Sequence, residues 1–168
     1  MANPRYEISV TQNDENWGNI VLETFPDVAP LHAANFDELV ASKSYDGCAF
    51  HRVIPGFMIQ GGDPNSISSD RSTWGFGNKN QKRVKAEFND ISHTRGILSA
   101  ARSQDPNSAS SQFFICVADS KFLDGQYTVY GKVLEGMEVV DKIVFAPRDR
   151  SDNPHEKIEM KITKLENE

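Results

Sequence analysis

The stretch FHRVIPGFMIQGGDP, residues 50–64, combines an arginine, several large apolar side chains, a glutamine and a Gly-Gly-Asp-Pro turn. A fixed cation thus lies beside apolar residues, and no serine or cysteine nucleophile accompanies it. This combination suits a chemistry that uses a charge and an apolar surface without forming a covalent bond to the protein.

The composition is typical of a globular protein. The chain has 168 residues, of which 38% are hydrophobic and 25% are charged, and we expect one domain spanning residues 1–168. Its net charge of −6 argues against a nucleic-acid partner, because phosphate binding depends on clustered lysine and arginine. The one basic patch, at Lys79, Lys82, Arg83 and Lys85, is interpreted as a solvated loop.

The two cysteines, Cys48 and Cys116, each lie in an apolar stretch, which predicts buried thiols in a reduced compartment rather than a disulfide. The N-terminus lacks the features of a secretory signal, and no apolar segment reaches the length of a membrane span. We therefore expect a cytoplasmic protein without a membrane partner. Nothing in the sequence indicates an oligomer, so a monomer is expected.

Short apolar runs separated by turn residues predict a mainly β protein. The runs at residues 6–10, 19–25, 96–101, 111–118, 127–133 and 158–165 have the character of strands. Many short strands favour an antiparallel sheet or barrel. Residues 63–85 and the chain after Phe145 look loosely structured.

Two segments have helical periodicity instead. In residues 27–42, Pro30 suits a first helical turn, and Ala33, Phe36 and Val40 share one face. In residues 136–145, an apolar residue recurs at Met137, Val140 and Val144. With about eight strands, two helices could cap the ends of a small closed barrel.

Motifs of common enzymes are absent from the sequence. We find no nucleophile elbow, HExxH pair, P-loop or dinucleotide fingerprint. The histidines lack the spacing of metal ligands, so no metal is expected. Ser108, Ser110 and Ser111 lie in a segment rich in turn residues, which favours a loop over a serine hydrolase site.

A family pattern emerges from the ordered runs YDGCAFHRVIPGFMIQGGDP, GILSAA, SQFFI and FLDG. Together with NFDELV and VYGKVLEGMEVVDKI, they resemble the cyclophilin family of peptidyl-prolyl cis-trans isomerases, in a form like its single-domain bacterial members. The resemblance covers the chain from Asn19 to Thr163. It implies a closed eight-stranded antiparallel β-barrel capped by two α-helices, in agreement with the pattern of strands and helices.

The resemblance also implies the site residues. By similarity, Arg52 is the catalytic residue. The positions that would bind substrate are Phe57, Met58, Gln60, Ala101, Arg102, Gln112, Phe114, Phe122, Leu123 and Tyr127. Of these, Ala101 and Leu123 are also residues that plain packing would choose.

The implied reaction explains the opening stretch, because rotation about an X-Pro bond breaks no covalent bond. It therefore requires no cofactor, and none is expected. Its barrier of about 18–20 kcal/mol arises from amide resonance. As the bond twists, the lone pair returns to the nitrogen, and the Arg52 guanidinium could donate a hydrogen bond to it. The apolar residues would hold the proline ring, and Gln60 and Gln112 would position the arginine or the substrate carbonyl.

Some positions depart from the family pattern. Phe122 replaces a common tryptophan and Tyr127 a common histidine, so weak cyclosporin binding with retained isomerase activity is expected. Arg102 replaces a common asparagine, which predicts a preference for acidic residues flanking proline. Residues 65–85 do not align securely with the family, and no site residue is predicted there.

The expected partners are proline-containing peptides and unfolded proteins. Two functions of other classes stay open at this point. A binding module would capture proline segments without turnover, and a general chaperone would need only an exposed apolar groove. Turnover that depends on Arg52 would separate an isomerase from both.

Overall fold

The computed structural model describes residues 3–166. Its elements are β1 (Arg5–Gln12), β2 (Glu15–Thr24), α1 (Pro30–Ala41), β3 (Phe50–Ile54), β4 (Met58–Gly61), β5 (Ile97–Ala100), β6 (Phe113–Cys116), β7 (Val129–Glu135), α2 (Met137–Val144) and β8 (Glu159–Leu165). The chain is therefore mainly β with two α-helices, as the sequence predicts. The strands predicted from the sequence do not include β3 and β4, and both lie within residues 50–64.

All eight strands form one antiparallel sheet in the order β3-β4-β6-β5-β7-β2-β1-β8. The first and last strands of the chain are neighbours, with Ile8 opposite Ile162. The sheet curls around a core that includes Tyr6, Ile8 and Phe50, all without solvent exposure. Alternation along β1 explains this burial, because every second side chain turns to the same face.

The expected closed barrel needs correction. Within residues 3–166, the end strands β3 and β8 share no ladder and are joined by one isolated bridge between Ala49 and Glu159. The physical reason lies in the segment before β8, which occupies the edge of β3, where Val53 N–H donates to the Asp152 carbonyl over 2.8 Å. The sheet is thus a curled, open half-barrel.

Both helices pack their predicted faces against the sheet. Helix α1 buries Ala33, Phe36 and Val40, and the Phe36 ring meets Tyr6 edge-on with centroids 4.9 Å apart. Helix α2 buries Val140 and Val144, as predicted, while Met137 is partly buried beside the core. The two predicted helical faces are confirmed.

Residues 63–85 are better organised than their composition suggests. They contain two short 3₁₀ turns, Pro64–Ile67 and Arg71–Thr73, each capped by an aspartate side chain. Cys48 and Cys116 are free and fully buried, as predicted, and the reduced compartment stays a prediction. Among residues 3–166, neither helix has the length and apolar character needed to cross a bilayer.

Candidate active site

Strand register places the predicted site residues on the outer face of the sheet. Arg52 on β3 is the cross-strand neighbour of Gln60 on β4, and Gln60 is opposite Phe114 on β6. Met58 lies two residues before Gln60 and therefore shares its face, whereas Ile59 between them turns into the main core. The three strands thus carry a cation, an amide and an aromatic ring in one row.

A cavity of about 100 Å³ opens beside this row. It is lined by Arg52, Phe57, Met58, Gln60, Ala101, Arg102, Phe114, Leu123 and Tyr127. The structure therefore brings together all the predicted site residues except Gln112 and Phe122. This volume is far below that of pockets for drug-sized ligands, so the cavity suits one small apolar group.

The Arg52 side chain is largely exposed but is held at the mouth of the cavity. Its Nη1 donates to Gln60 Oε1 over 3.3 Å. Gln60 Nε2 in turn donates to Gln112 Oε1 over 3.1 Å. Gln112 is thus connected to the site through Gln60 instead of lining the cavity.

The floor of the cavity rests on a polar network that sequence reasoning missed. The Phe114 ring stacks on the fully buried His93 ring, with centroids 5.9 Å apart. His93 Nε2 lies 2.9 Å from Ser99 Oγ, and Nδ1 lies 3.0 Å from Asp124 Oδ1. The His93 ring is therefore held at both nitrogens, which limits how far Phe114 can move.

The Asp124 carboxylate is stabilised in its charged form by this network. Hydrogen bonds from the Ser92 hydroxyl and the His93 backbone N–H lower the pKa of Asp124 to about 2. No sequence motif marks these residues, because Ser92 and His93 lie 31 or more residues from Asp124 along the chain.

Aromatic side chains form the edge of the site. Phe122 is 71% exposed, and its ring lies 5.6 Å from that of Phe57. Tyr127 meets Phe114 edge-on at 5.7 Å, and the Arg102 guanidinium lies 4.3 Å above the Tyr127 ring. The two family departures at 122 and 127 thus remain aromatic surfaces beside the cavity.

A larger cavity, of about 310 Å³, adjoins the first and shares Gln60, Ala101 and Arg102 with it, and it is also lined by Gln112. Lys79 and Arg83 also line it. Two residues of the basic patch, which was predicted to be a solvated loop, therefore border the site. Arg83 has a distant ion pair with Asp105, at 3.7 Å.

Titratable groups near the site offer no metal centre. Among the described residues, no group of three or more histidine, cysteine, aspartate or glutamate side chains could hold a metal ion. His51, next to Arg52, is buried, and burial lowers its pKa to about 4. The Arg52 charge also lowers the pKa of His51, and Asp63 acts in the opposite direction.

Comparisons with known proteins agree on one family. The family model described as cyclophilin type peptidyl-prolyl cis-trans isomerase matches residues 7–167. A probable peptidyl-prolyl cis-trans isomerase of Brucella abortus is 50% identical over 130 residues, which cover 75% of this chain. The match spans 66% of the length of that relative. The Arabidopsis thaliana peptidyl-prolyl cis-trans isomerase CYP18-1 is 46% identical, over 80% of this chain and 84% of its own.

A solved structure shows the same fold. A Cryptosporidium parvum cyclophilin type peptidyl-prolyl cis-trans isomerase superposes with a TM-score of 0.83 at 30% identity, over 99% of this chain and 100% of that chain. The same protein in the presence of the dipeptide Ala-Pro gives a TM-score of 0.80 at 32% identity, over 97% and 99% of the two chains. The chain belongs to the cyclophilin-type peptidyl-prolyl cis-trans isomerase family.

Proposed function

We propose that this protein catalyses the cis-trans isomerisation of X-Pro peptide bonds in peptides and in unfolded or partly folded proteins, and so assists folding. The observation that carries the proposal is the Arg52 guanidinium at the mouth of a small cavity lined by Phe57, Met58 and Phe114. The Cryptosporidium relative was solved in the presence of Ala-Pro, which supports a proline-containing ligand.

In this proposal the cavity receives the pyrrolidine ring. Met58 and Phe114 are buried and Phe57 is partly buried, so a ring placed among them leaves water. Holding the ring in a fixed orientation leaves the preceding carbonyl as the part that rotates. Gln60, which faces the same cavity, is placed to contact the substrate backbone.

Arg52 supplies the stabilisation of the twisted state. As resonance is lost, the proline nitrogen becomes a hydrogen-bond acceptor, and a guanidinium donates at any working pH. This interaction strengthens in the transition state, which is the condition for catalysis. Lowering the barrier by about 7 kcal/mol would speed the reaction by roughly 10⁵. One charged hydrogen bond to the nitrogen of a proline ring held in the apolar cavity would supply about half of this, and positioning would supply the rest.

The test compares wild type with Arg52→Ala in a peptide isomerisation assay and in a proline-limited refolding assay. We expect wild type to accelerate both and the variant to lose about 100-fold or more in turnover. Binding of an Ala-Pro peptide should weaken far less, because the arginine acts mainly on the twisted state. Arg148→Ala is the matched control, since Arg148 pairs with Asp152 outside the cavity.

The same variants distinguish the other two functions. A wild-type protein that binds the peptide without accelerating either reaction would be a binding module. Suppression of aggregation by Arg52→Ala to the wild-type extent would identify a chaperone activity separate from catalysis.

We also propose that residues 1–168 act as one cyclophilin-like domain and as a cytoplasmic monomer. The pairing of β1 with both β2 and β8 supports one domain, since it joins the two ends of the described chain in one sheet. The fully buried free thiols of Cys48 and Cys116 support a reduced compartment.

A further inference from the structure

The hydrogen bonds beside Arg52 form a continuous series in which every donor points away from Arg52. Gln112 Nε2 donates to the Gly75 carbonyl oxygen over 3.1 Å, beyond the Arg52–Gln60–Gln112 contacts described above. A guanidinium only donates and a backbone carbonyl only accepts. Arg52 at one end and the Gly75 carbonyl at the other therefore fix the orientations of both amides, with Gln60 Oε1 toward Arg52 and Gln112 Nε2 toward Gly75.

The far end of this series is a clamped loop, residues 73–77. The Asp63 carboxylate, which has no solvent exposure, accepts hydrogen bonds from Gly75 N–H over 2.7 Å and Gly77 N–H over 3.0 Å. From the other side, Asn65 Nδ2 donates to the Thr73 carbonyl over 3.0 Å and to the Gly77 carbonyl over 2.8 Å. The loop is thus held through both its N–H and its C=O groups.

The loop conformation also depends on glycine at position 75. Gly75 has φ of +94°, and a Cβ there would lie 3.1 Å from the His51 ring. A side chain would therefore be strained and would press on the residue next to Arg52. The position of the Gly75 carbonyl is consequently set by Asp63 and by close packing on His51.

We propose that Asp63 is a positioning residue for isomerisation. By holding loop 73–77, it fixes the Gly75 carbonyl, which orients the amides of Gln112 and Gln60 and keeps the Gln60 oxygen against Arg52. If the loop moved, the Gln60 amide could turn its NH₂ group toward the guanidinium, and Arg52 would lose its only side-chain acceptor among the described residues. This inference rests on the proposed function, because it acts through Arg52.

The first test is Asp63→Asn, which keeps the shape of the side chain but replaces one acceptor oxygen with a donor. We expect kcat/KM for a proline peptide to fall about tenfold, mainly through kcat, because Arg52 is misplaced rather than the pocket lost. In a Gln60→Ala background the same change should lower kcat/KM by less than about twofold, because the series of hydrogen bonds from Arg52 to Gly75 is already interrupted. Equal losses in both backgrounds would overturn the proposal.

A merely structural role needs its own control, because Asp63 also caps the 3₁₀ turn Pro64–Ile67. Ser66→Ala removes buried hydrogen bonds in that turn, to the Asp63 carbonyl and from the Ala49 N–H, without touching the series from Arg52 to Gly75. Assayed at a temperature where all variants are folded, Ser66→Ala should keep wild-type kcat. A loss equal to that of Asp63→Asn would assign Asp63 a structural role only.

A second variant and a readout without substrate complete the test. Asn65→Ala removes the other side of the clamp and should lower kcat in the same direction, which keeps the proposal testable if Asp63→Asn does not fold. In NMR spectra, the side-chain amide signals of Gln60 and Gln112 should be those of one fixed orientation in wild type. In both variants they should be averaged over two orientations. Unchanged amide signals would overturn the proposal even if wild type proved inactive, and inactivity alone would overturn only the proposed function.

Discussion

At the scale of single residues, Arg52 and its neighbour His51 lie in opposite environments. Arg52 is exposed, yet His51 beside it is buried, so adjacent residues on β3 face opposite environments. This alternation follows from the two-residue period of a strand. It places a charge at the cavity and a neutral imidazole behind it.

The burial of His51 predicts a loss of stability in acid. Burial lowers the pKa of His51 from 6.5 to about 4. Between these pH values His51 is therefore protonated in the unfolded chain and neutral in the folded chain. The free energy of unfolding should therefore be highest above pH 6.5 and fall as the pH approaches 4. The contribution of this one residue is about 3 kcal/mol at the acid end.

Urea unfolding of wild type and His51→Gln, at pH 7 and at pH 4.5, measures this contribution. The variant should lose less stability on acidification, while the contribution of His32, whose pKa burial also lowers, should remain in both proteins. An identical pH dependence in the two proteins would contradict the prediction.

Phe122 is the residue expected to limit cyclosporin binding. Its ring is exposed and lies tilted beside that of Phe57, but it lacks the indole N–H that the family's common tryptophan offers. One added hydrogen bond of about 0.5–1.5 kcal/mol should make Phe122→Trp bind cyclosporin about two- to twelvefold more tightly. Titration calorimetry checks the affinity, and peptide isomerisation should change little. Equal affinities would contradict the expectation.

At the scale of elements, α1 begins on a cap that comes from a distant loop. Its N-cap residue, Ala29, offers no side-chain acceptor. Instead, the Glu87 carboxylate accepts the backbone N–H groups of Leu31, over 3.1 Å, and of His32, over 2.8 Å. A negative charge at a helix N-terminus also interacts favourably with the helix dipole.

Glu87→Ala should therefore destabilise the protein. The change leaves the Leu31 and His32 N–H groups without this acceptor, and we expect a loss of about 1–3 kcal/mol in the free energy of unfolding. Glu38→Ala is a matched control on the same helix, because its ion pair with Lys82 is 65–68% exposed and contributes little. Chemical denaturation measures the free energy of unfolding of both variants. Equal losses in the two would contradict the proposed cap by Glu87.

At the scale of the whole molecule, the charge is unevenly distributed. The chain has a net charge of −6, but Lys79, Arg83 and Arg102 line the cavity that adjoins the proposed proline site. Arg102 is partly engaged, since its Nε donates to the Gln126 carbonyl over 3.1 Å. A cationic border on an acidic protein should attract acidic groups locally.

Peptides with glutamate flanking the proline should consequently be better substrates than peptides with lysine there. We expect about a two- to fivefold advantage in kcat/KM at low salt, decreasing as the ionic strength rises. A Lys79→Gln, Arg83→Gln double variant should reduce the advantage. A peptide series with no charge preference at low salt would contradict this prediction.

Much of the fold and of the candidate site could be predicted from the sequence because it depends on local patterns. The burial of Phe36 and Val40 follows from helical spacing, and the long ordered motifs led to Arg52 and Phe57. The strands β3 and β4 were missed because the apolar run from Phe57 to Ile59 shows no two-residue alternation. Their register, not their sequence, unites Arg52 with Gln60.

By itself, then, the sequence determined the family, the mainly β architecture and most of the residues that meet at the cavity. Only the tertiary structure decided that the sheet stays open between β3 and β8, that His93 supports Phe114 and that Asp63 holds the loop reaching Gln112. The physical reason is that these contacts join segments far apart in the chain. A local pattern specifies which face a side chain takes, whereas its distant hydrogen-bond partner exists only once the sheet has curled.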